Sequence, residues 1–141
     1  MKFNKLVPEL KVTNFEKSLM FYTKYLGFKI EYQREEFKFA FLSLQGSQIM
    51  IEEIRNGDWK TGKLEHPFGR GIHLQMQVKS IKPIIASLKK NNCKLFAESH
   101  DKWYRKDTKL LGNRQFLVQD PDGYLLRFFE DLGSRPVAKS I

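Results

Sequence analysis

Apolar and polar residues alternate in the first readable stretch of this chain. Leu6, Pro8, Leu10 and Val12 share one face, and Val7, Glu9 and Lys11 share the other, which predicts a strand over 6–12. Pro8 has no N–H to donate, so it belongs at an edge or near the strand start. Thr13-Asn14-Phe15-Glu16 then opens a helix, either through a Thr13/Glu16 capping box or with Asn14 as the cap. Phe15, Leu19, Tyr22 and Leu26 fall on one helical stripe, and Gly27 closes it. Strands follow over 28–33, 37–44 and 48–54. In the second of them Phe37, Phe39 and Phe41 share a face. In the third, Met50, Glu52 and Ile54 oppose Ile49 and Ile51. The order is β-α-β-β-β.

After a connector over 55–70, containing Gly57, Gly62, Pro67 and Gly69, the order recurs. Ile72, Leu74, Met76 and Val78 alternate with His73, Gln75 and Gln77, as in a half-buried strand. Ser80 is positioned to cap a helix that tolerates Pro83 in its first turn. Ile81, Ile85 and Leu88 form the helix stripe, and Asn91-Asn92 ends it. A strand is expected over 94–98. Residues 99–113 read as a polar loop carrying Trp103 and Tyr104. Strands over 114–119 and 124–130 flank Asp120-Pro121-Asp122-Gly123, whose turn chemistry predicts an antiparallel hairpin. Val12 to Ile30 and Val78 to Leu95 span the same elements, the second with one residue fewer, so the halves read as a duplication. One helix per sheet leaves the other sheet face free, and two such faces meeting would enclose a cleft.

Composition bounds the class. An apolar fraction of 41% with 12 Phe is ample for a core and argues against bulk disorder. Cys93 is the sole cysteine, so no intrachain disulfide can form, and a reducing compartment suits it. No apolar run approaches a membrane span, and the expectation is a cytoplasmic protein without membrane contact. The charge is +9, from 25 basic and 16 acidic residues, with the excess spread along the chain as on a solvated lysine-rich surface. The densest cluster is Lys102, Arg105, Lys106 and Lys109 with Trp103 and Tyr104 between. Stacked bases could use such a cluster, but no nucleic-acid-binding motif accompanies it.

Four stretches carry a resemblance: Val12-Thr13-Asn14-Phe15-Glu16-Lys17-Ser18 with Phe21-Tyr22; Tyr25-Leu26-Gly27-Phe28; Gly71-Ile72-His73-Leu74; and Gly112-Asn113-Arg114-Gln115-Phe116 running into Asp120-Pro121-Asp122-Gly123. Together they resemble the vicinal oxygen chelate superfamily of glyoxalase I, bleomycin resistance proteins and extradiol dioxygenases, and lean towards the bleomycin-resistance branch. The resemblance implies an α+β fold of two βαβββ modules forming a half-open, barrel-like cleft, paired in a homodimer. One domain would then span 1–141, with modules over about 5–54 and 71–132 and the connector over 55–70 between them. The superfamily hosts several chemistries and pure binders, so fold alone does not choose among them.

Metal-dependent members hold their ion with one side chain from the first and last strand of each module. By motif register those positions are Val7, Glu52, His73 and Arg127. Glu52 and His73 can ligate. Val7 has no lone pair, and Arg127 is a permanent cation. At ~4 Å and an effective dielectric near 20, unit charges repel by about 4 kcal/mol, and a divalent ion doubles that. No metal and no cofactor is therefore expected. The resemblance implies a sequestering binder of a drug or aromatic metabolite. Glu9, Phe39, Phe41, Glu52, His73, Gln75, Trp103, Tyr104, Phe116 and Arg127 are the candidate ligand-binding residues. Arg127 is expected to pair with Glu52 or Glu9 across the cleft, since a buried arginine needs such a partner. Bleomycin is cationic and the +9 field opposes it; a neutral or anionic aromatic ligand suits the field at least as well. The alternative is an enzyme of the glyoxalase or dioxygenase type in which Glu52 orients His73 as general base, with or without a metal.

Overall fold

In the computed structural model, which describes residues 1–138, the first half forms β1 (Glu9–Val12), α1 (Phe15–Met20), β2 (Lys29–Arg34), β3 (Phe39–Leu44) and β4 (Ser47–Glu53). Their sheet has the order β1-β4-β3-β2, with β1 parallel to β4 and the other pairs antiparallel. The first strand is shorter than the alternation predicts. Leu6 is 81% exposed, and pairing starts where the Pro8 carbonyl accepts the Met50 N–H at 2.9 Å. Phe37 falls in a short 3₁₀ turn ahead of β3 rather than in the strand. Asn14 caps α1 by accepting the Lys17 N–H at 3.0 Å. Thr13 instead bonds Asp122, in the other half of the chain. Beyond Met20 the helix widens into π-type turns over Phe21–Tyr25. Phe21 and Tyr22 in these turns are both buried, while Leu19 stays only partly buried.

The second half supplies β5 (His73–Gln77), α2 (Lys82–Lys90), β6 (Ala97–Lys106), β7 (Lys109–Gln119) and β8 (Leu125–Pro136), in a sheet of order β5-β8-β7-β6. Ser80 does not cap α2. The Glu130 carboxylate does that work from β8, accepting the Ile81 N–H at 3.2 Å. The larger correction concerns 99–113, which is not a loop. Residues up to Lys106 belong to β6 and those from Lys109 to β7, paired from Ala97↔Leu117 to Lys106↔Lys109. Most of β6 is exposed, so no apolar alternation announces it. Its charged side chains suit an edge strand.

The two sheets do not close into a barrel; they meet through one core. Leu10, Val12, Ile49 and Ile51 of the first sheet join Met76, Leu126 and Phe128 of the second, with Phe21, Tyr22, Ile84 and Leu88 from the helical segments. Burying each such side chain stabilises the fold by about 1.5–3 kcal/mol. Phe116 belongs to this core, stacked on Phe128 with ring centroids 5.4 Å apart, and so it lies on the helix side of its sheet. Polar ties reinforce the seam. Tyr22 donates its hydroxyl to Asp120 at 2.7 Å, and Tyr124 donates to the Lys11 carbonyl at 2.9 Å. Among the described residues no helix is long and apolar enough to cross a membrane.

Candidate functional site

The open face of each sheet, turned away from the core, carries the candidate chemistry. On the first sheet Lys11 stands beside Glu52 in the parallel register. Its Nζ lies 2.6 Å from Glu52, 3.2 Å from Asp58 and 3.8 Å from Glu9. Arg55 adds contacts at 3.5 Å to Glu52 and 3.6 Å to Asp58. These groups line a cavity of about 660 Å³ with the fully exposed Trp59 at its mouth. Burial pulls the Lys11 pKa down, but hydrogen bonds to Glu52 and Asp58 outweigh it, and the ammonium is held above its usual range. The Arg55 backbone N–H, then Lys11, hold the Asp58 carboxyl below its usual value. Lys11→Met is expected to destabilise the protein by about 1–2 kcal/mol, between exposed-pair and buried-pair values, by leaving Glu52 and Asp58 with Arg55 as their remaining cation; Lys11→Arg should restore most of the loss in urea unfolding.

Phe39 and Phe41 occupy the same sheet face but lie under other side chains. Phe3 meets Phe41 edge-on at 5.3 Å, Tyr32 stacks on it at 5.2 Å, and the Arg34 guanidinium covers Phe39 at 4.5 Å. The N-terminal segment is pinned there by Asn4 and Gln48, through the Asn4 N–H to the Gln48 side chain and the Gln48 amide to the Lys2 carbonyl.

On the second sheet the open face holds His73, Gln75 and Gln77 of β5, Arg127 and Phe129 of β8, and Tyr104 of β6. Gln75 neighbours Arg127 in register. A cavity of about 530 Å³ is lined by Gln75, Gln77, Tyr104, Asn113, Arg127 and Phe129, among others. The Arg127 guanidinium lies 5.8 Å from the centre of the Tyr104 ring. Trp103 points to the other side of β6, with Arg135 stacked 4.0 Å over its ring. His73 is exposed on the cavity's sheet face, two residues before Gln75.

The structure thus groups Glu9 with Glu52, and Gln75 with Tyr104 and Arg127. It does not join the two groups. The expected pairing of Arg127 with Glu52 or Glu9 is absent: Lys11 and Arg55 hold Glu52, and Lys11 is Glu9's neighbour. Sequence reasoning missed Lys11 and Asp58 as site residues. Lys11 had a signal, since it shares the Glu9 face of the first strand; Asp58 had none, because only folding of the connector brings it there.

A family model described as the Glyoxalase/Bleomycin resistance protein/Dioxygenase superfamily matches residues 3–128. The chain belongs to that superfamily. A superfamily member from Vibrio splendidus 12B01 is 31% identical over 87% of this chain and 95% of its own, with a TM-score of 0.40. TioX from Micromonospora sp. ML1 is 19% identical, with a TM-score of 0.68 over 92% of this chain and 100% of its own. FosX from Listeria monocytogenes, a genomically encoded fosfomycin resistance protein, is 17% identical, with a TM-score of 0.59 over 92% of each chain. No curated protein matches. Membership sharpens the metal question. Of the four positions that the resemblance matches to metal ligands, Val7 offers no lone pair, Arg127 is cationic, Glu52 is already bonded to Lys11 at 2.6 Å, and His73 alone is a free donor. Among the described residues no group of three or more His, Cys, Asp or Glu could hold a metal ion. The donor set does not fit the superfamily's metal.

Proposed function

We propose that this superfamily member is a small-molecule-binding protein that acts by sequestration, with no metal-centred step. The observation that supports this is the Lys11–Glu52–Asp58–Arg55 network. It puts an ammonium against the one carboxylate among the four superfamily metal positions. The same network argues against Glu52 as the orienting partner of His73, since Lys11 at 2.6 Å and Arg55 at 3.5 Å already take up its carboxylate. The ligand is a drug or aromatic metabolite, and one fold relative is a fosfomycin resistance protein.

The two open faces carry separate cavities, so neither encloses a ligand on two sides. A homodimer that lays the first sheet of one copy over the second sheet of another would close both. Native mass spectrometry of the protein as purified tests both parts: a dimer carrying a small organic molecule supports them, and a bare monomer removes them. Incubation with nickel, zinc or iron(II) followed by desalting should leave no stoichiometric metal. A metal retained at one per chain overturns the metal-free reading.

A further inference from the structure

The cavity on the second sheet also specifies a ligand chemistry, and this step rests on the binding reading above. Arg127 is half-buried and has no carboxylate within 4.0 Å among the described residues. Its Nε is sealed from solvent without a hydrogen-bond partner. The sealed Nε lies out of a ligand's reach, but Arg127 lines the cavity, and a guanidinium partly withdrawn from water without a counter-ion is costly.

The side chains around it are set as donors by a chain of hydrogen bonds. His100 Nδ1 lies 2.8 Å from the Glu98 carbonyl, which can only accept, so Nδ1 carries the proton. His100 Nε2 is then the acceptor for the Gln115 amide at 3.0 Å. The same Gln115 Nε2 donates its second hydrogen to the Tyr104 hydroxyl oxygen at 2.8 Å. Gln115 is 3% exposed, and two acceptors fix its orientation, with Oε1 unpartnered. Tyr104 therefore accepts from Gln115 and has its own O–H to give. Gln75, Gln77 and Asn113 add amide donors, and Phe129 and Leu111 add apolar wall. Asp131 also lines this cavity, at its far end, four residues along β8 from Arg127 and about 13 Å away at strand spacing. Its carboxylate is turned to the Gly133 N–H at 2.8 Å.

We propose that this cavity binds the carboxylate of a small aromatic acid, with Arg127 as its counter-ion and the Tyr104 O–H as a second donor. A planar fork matches a planar carboxylate in two parallel bonds. The aromatic body lies against Phe129 and Leu111. The +9 charge of the chain steers such an anion inward.

Titration calorimetry of the full chain with 2-naphthoate and its neutral isostere 2-naphthamide tests this. The acid should bind about tenfold more tightly than the amide, a difference of about 1.4 kcal/mol. Arg127→Met should abolish that preference by weakening acid binding more than amide binding. Tyr104→Phe should weaken acid binding several-fold. If Arg127→Met does not fold, Arg127→Lys carries the test: it keeps the charge, loses the fork, and should show a reduced preference. Equal binding of acid and amide overturns the carboxylate assignment and leaves the sequestration reading standing. So does a preference that survives Arg127→Met. Binding of neither probe also overturns the assignment, while mass spectrometry of co-purified molecules still reads sequestration separately. A dimer lost in Arg127→Met, with no acid preference in the wild type, overturns it too, because the counter-ion is then a carboxylate of the second copy.

Discussion

Gly123→Ala is expected to lower unfolding stability by about 3 kcal/mol. Two costs add at this position. Gly123 has φ +96, where an L side chain is strained by about 1–2 kcal/mol. A Cβ there would also stand 2.5 Å from Pro67 Cβ and 2.6 Å from Pro67 Cα. The second of these is backbone, so rotating a side chain cannot relieve it. The contact is close because the Asp122 carbonyl accepts the Phe68 N–H at 2.8 Å, which seats the end of the connector on the hairpin turn. Gly46→Ala is the control. Its φ is +91, but open space surrounds the added methyl, so only the backbone strain remains. Urea unfolding of both variants should separate the terms, and equal losses would mean that the Pro67 contact yields freely.

This turn also shows what the sequence carries by itself. Asp-Pro-Asp-Gly between two apolar runs specifies a hairpin through local chemistry, and the structure forms it with Gly123 N–H bonded to the Asp120 carbonyl at 2.9 Å. Strands with one buried and one open face are legible for a similar reason. His73, Gln75 and Gln77 alternate with Leu74 and Met76, so their common face follows from period two alone. Residues 99–106 defeat that reasoning. They extend an edge strand with little to bury, and main-chain pairing to β7 holds them rather than a hydrophobic face. Tyr104 could not be placed beside Arg127 until that pairing was known. The partner of Glu52 is illegible for another reason. Lys11 and Glu52 meet through a parallel register between residues 41 positions apart in the chain, and no local pattern fixes that offset. Arg127 was readable as an open-face cation, but its lack of a carboxylate depends on how the two sheets turn.

Asp120→Asn is expected to stabilise the protein at neutral pH by about 2 kcal/mol and to remove a pH dependence in the acid range. Asp120 is 4% exposed in the seam between the halves. Its carboxylate accepts the Asp122 N–H at 2.9 Å, the Tyr124 N–H at 3.0 Å and the Tyr22 hydroxyl at 2.7 Å. Those bonds favour the charged form, yet burial outweighs them, and the neighbouring Asp122 carboxylate adds to the penalty. The pKa rises from 3.8 to about 6. Folded Asp120 thus binds its proton more tightly than the unfolded chain does. Its contribution to stability is fully present below pH 3.8, declines as pH rises through about 6, and stays lost above. An asparagine keeps an oxygen for the two backbone donors and carries no charge to desolvate, while its amide can donate to the Tyr22 oxygen. Equilibrium unfolding of wild type and Asp120→Asn across that range should give curves that converge on the acid side and separate towards neutrality. Parallel curves would show that the carboxyl does not titrate in this window. A variant less stable than wild type at neutral pH would show that the Tyr22 hydrogen bond outweighs the cost of burying the charge.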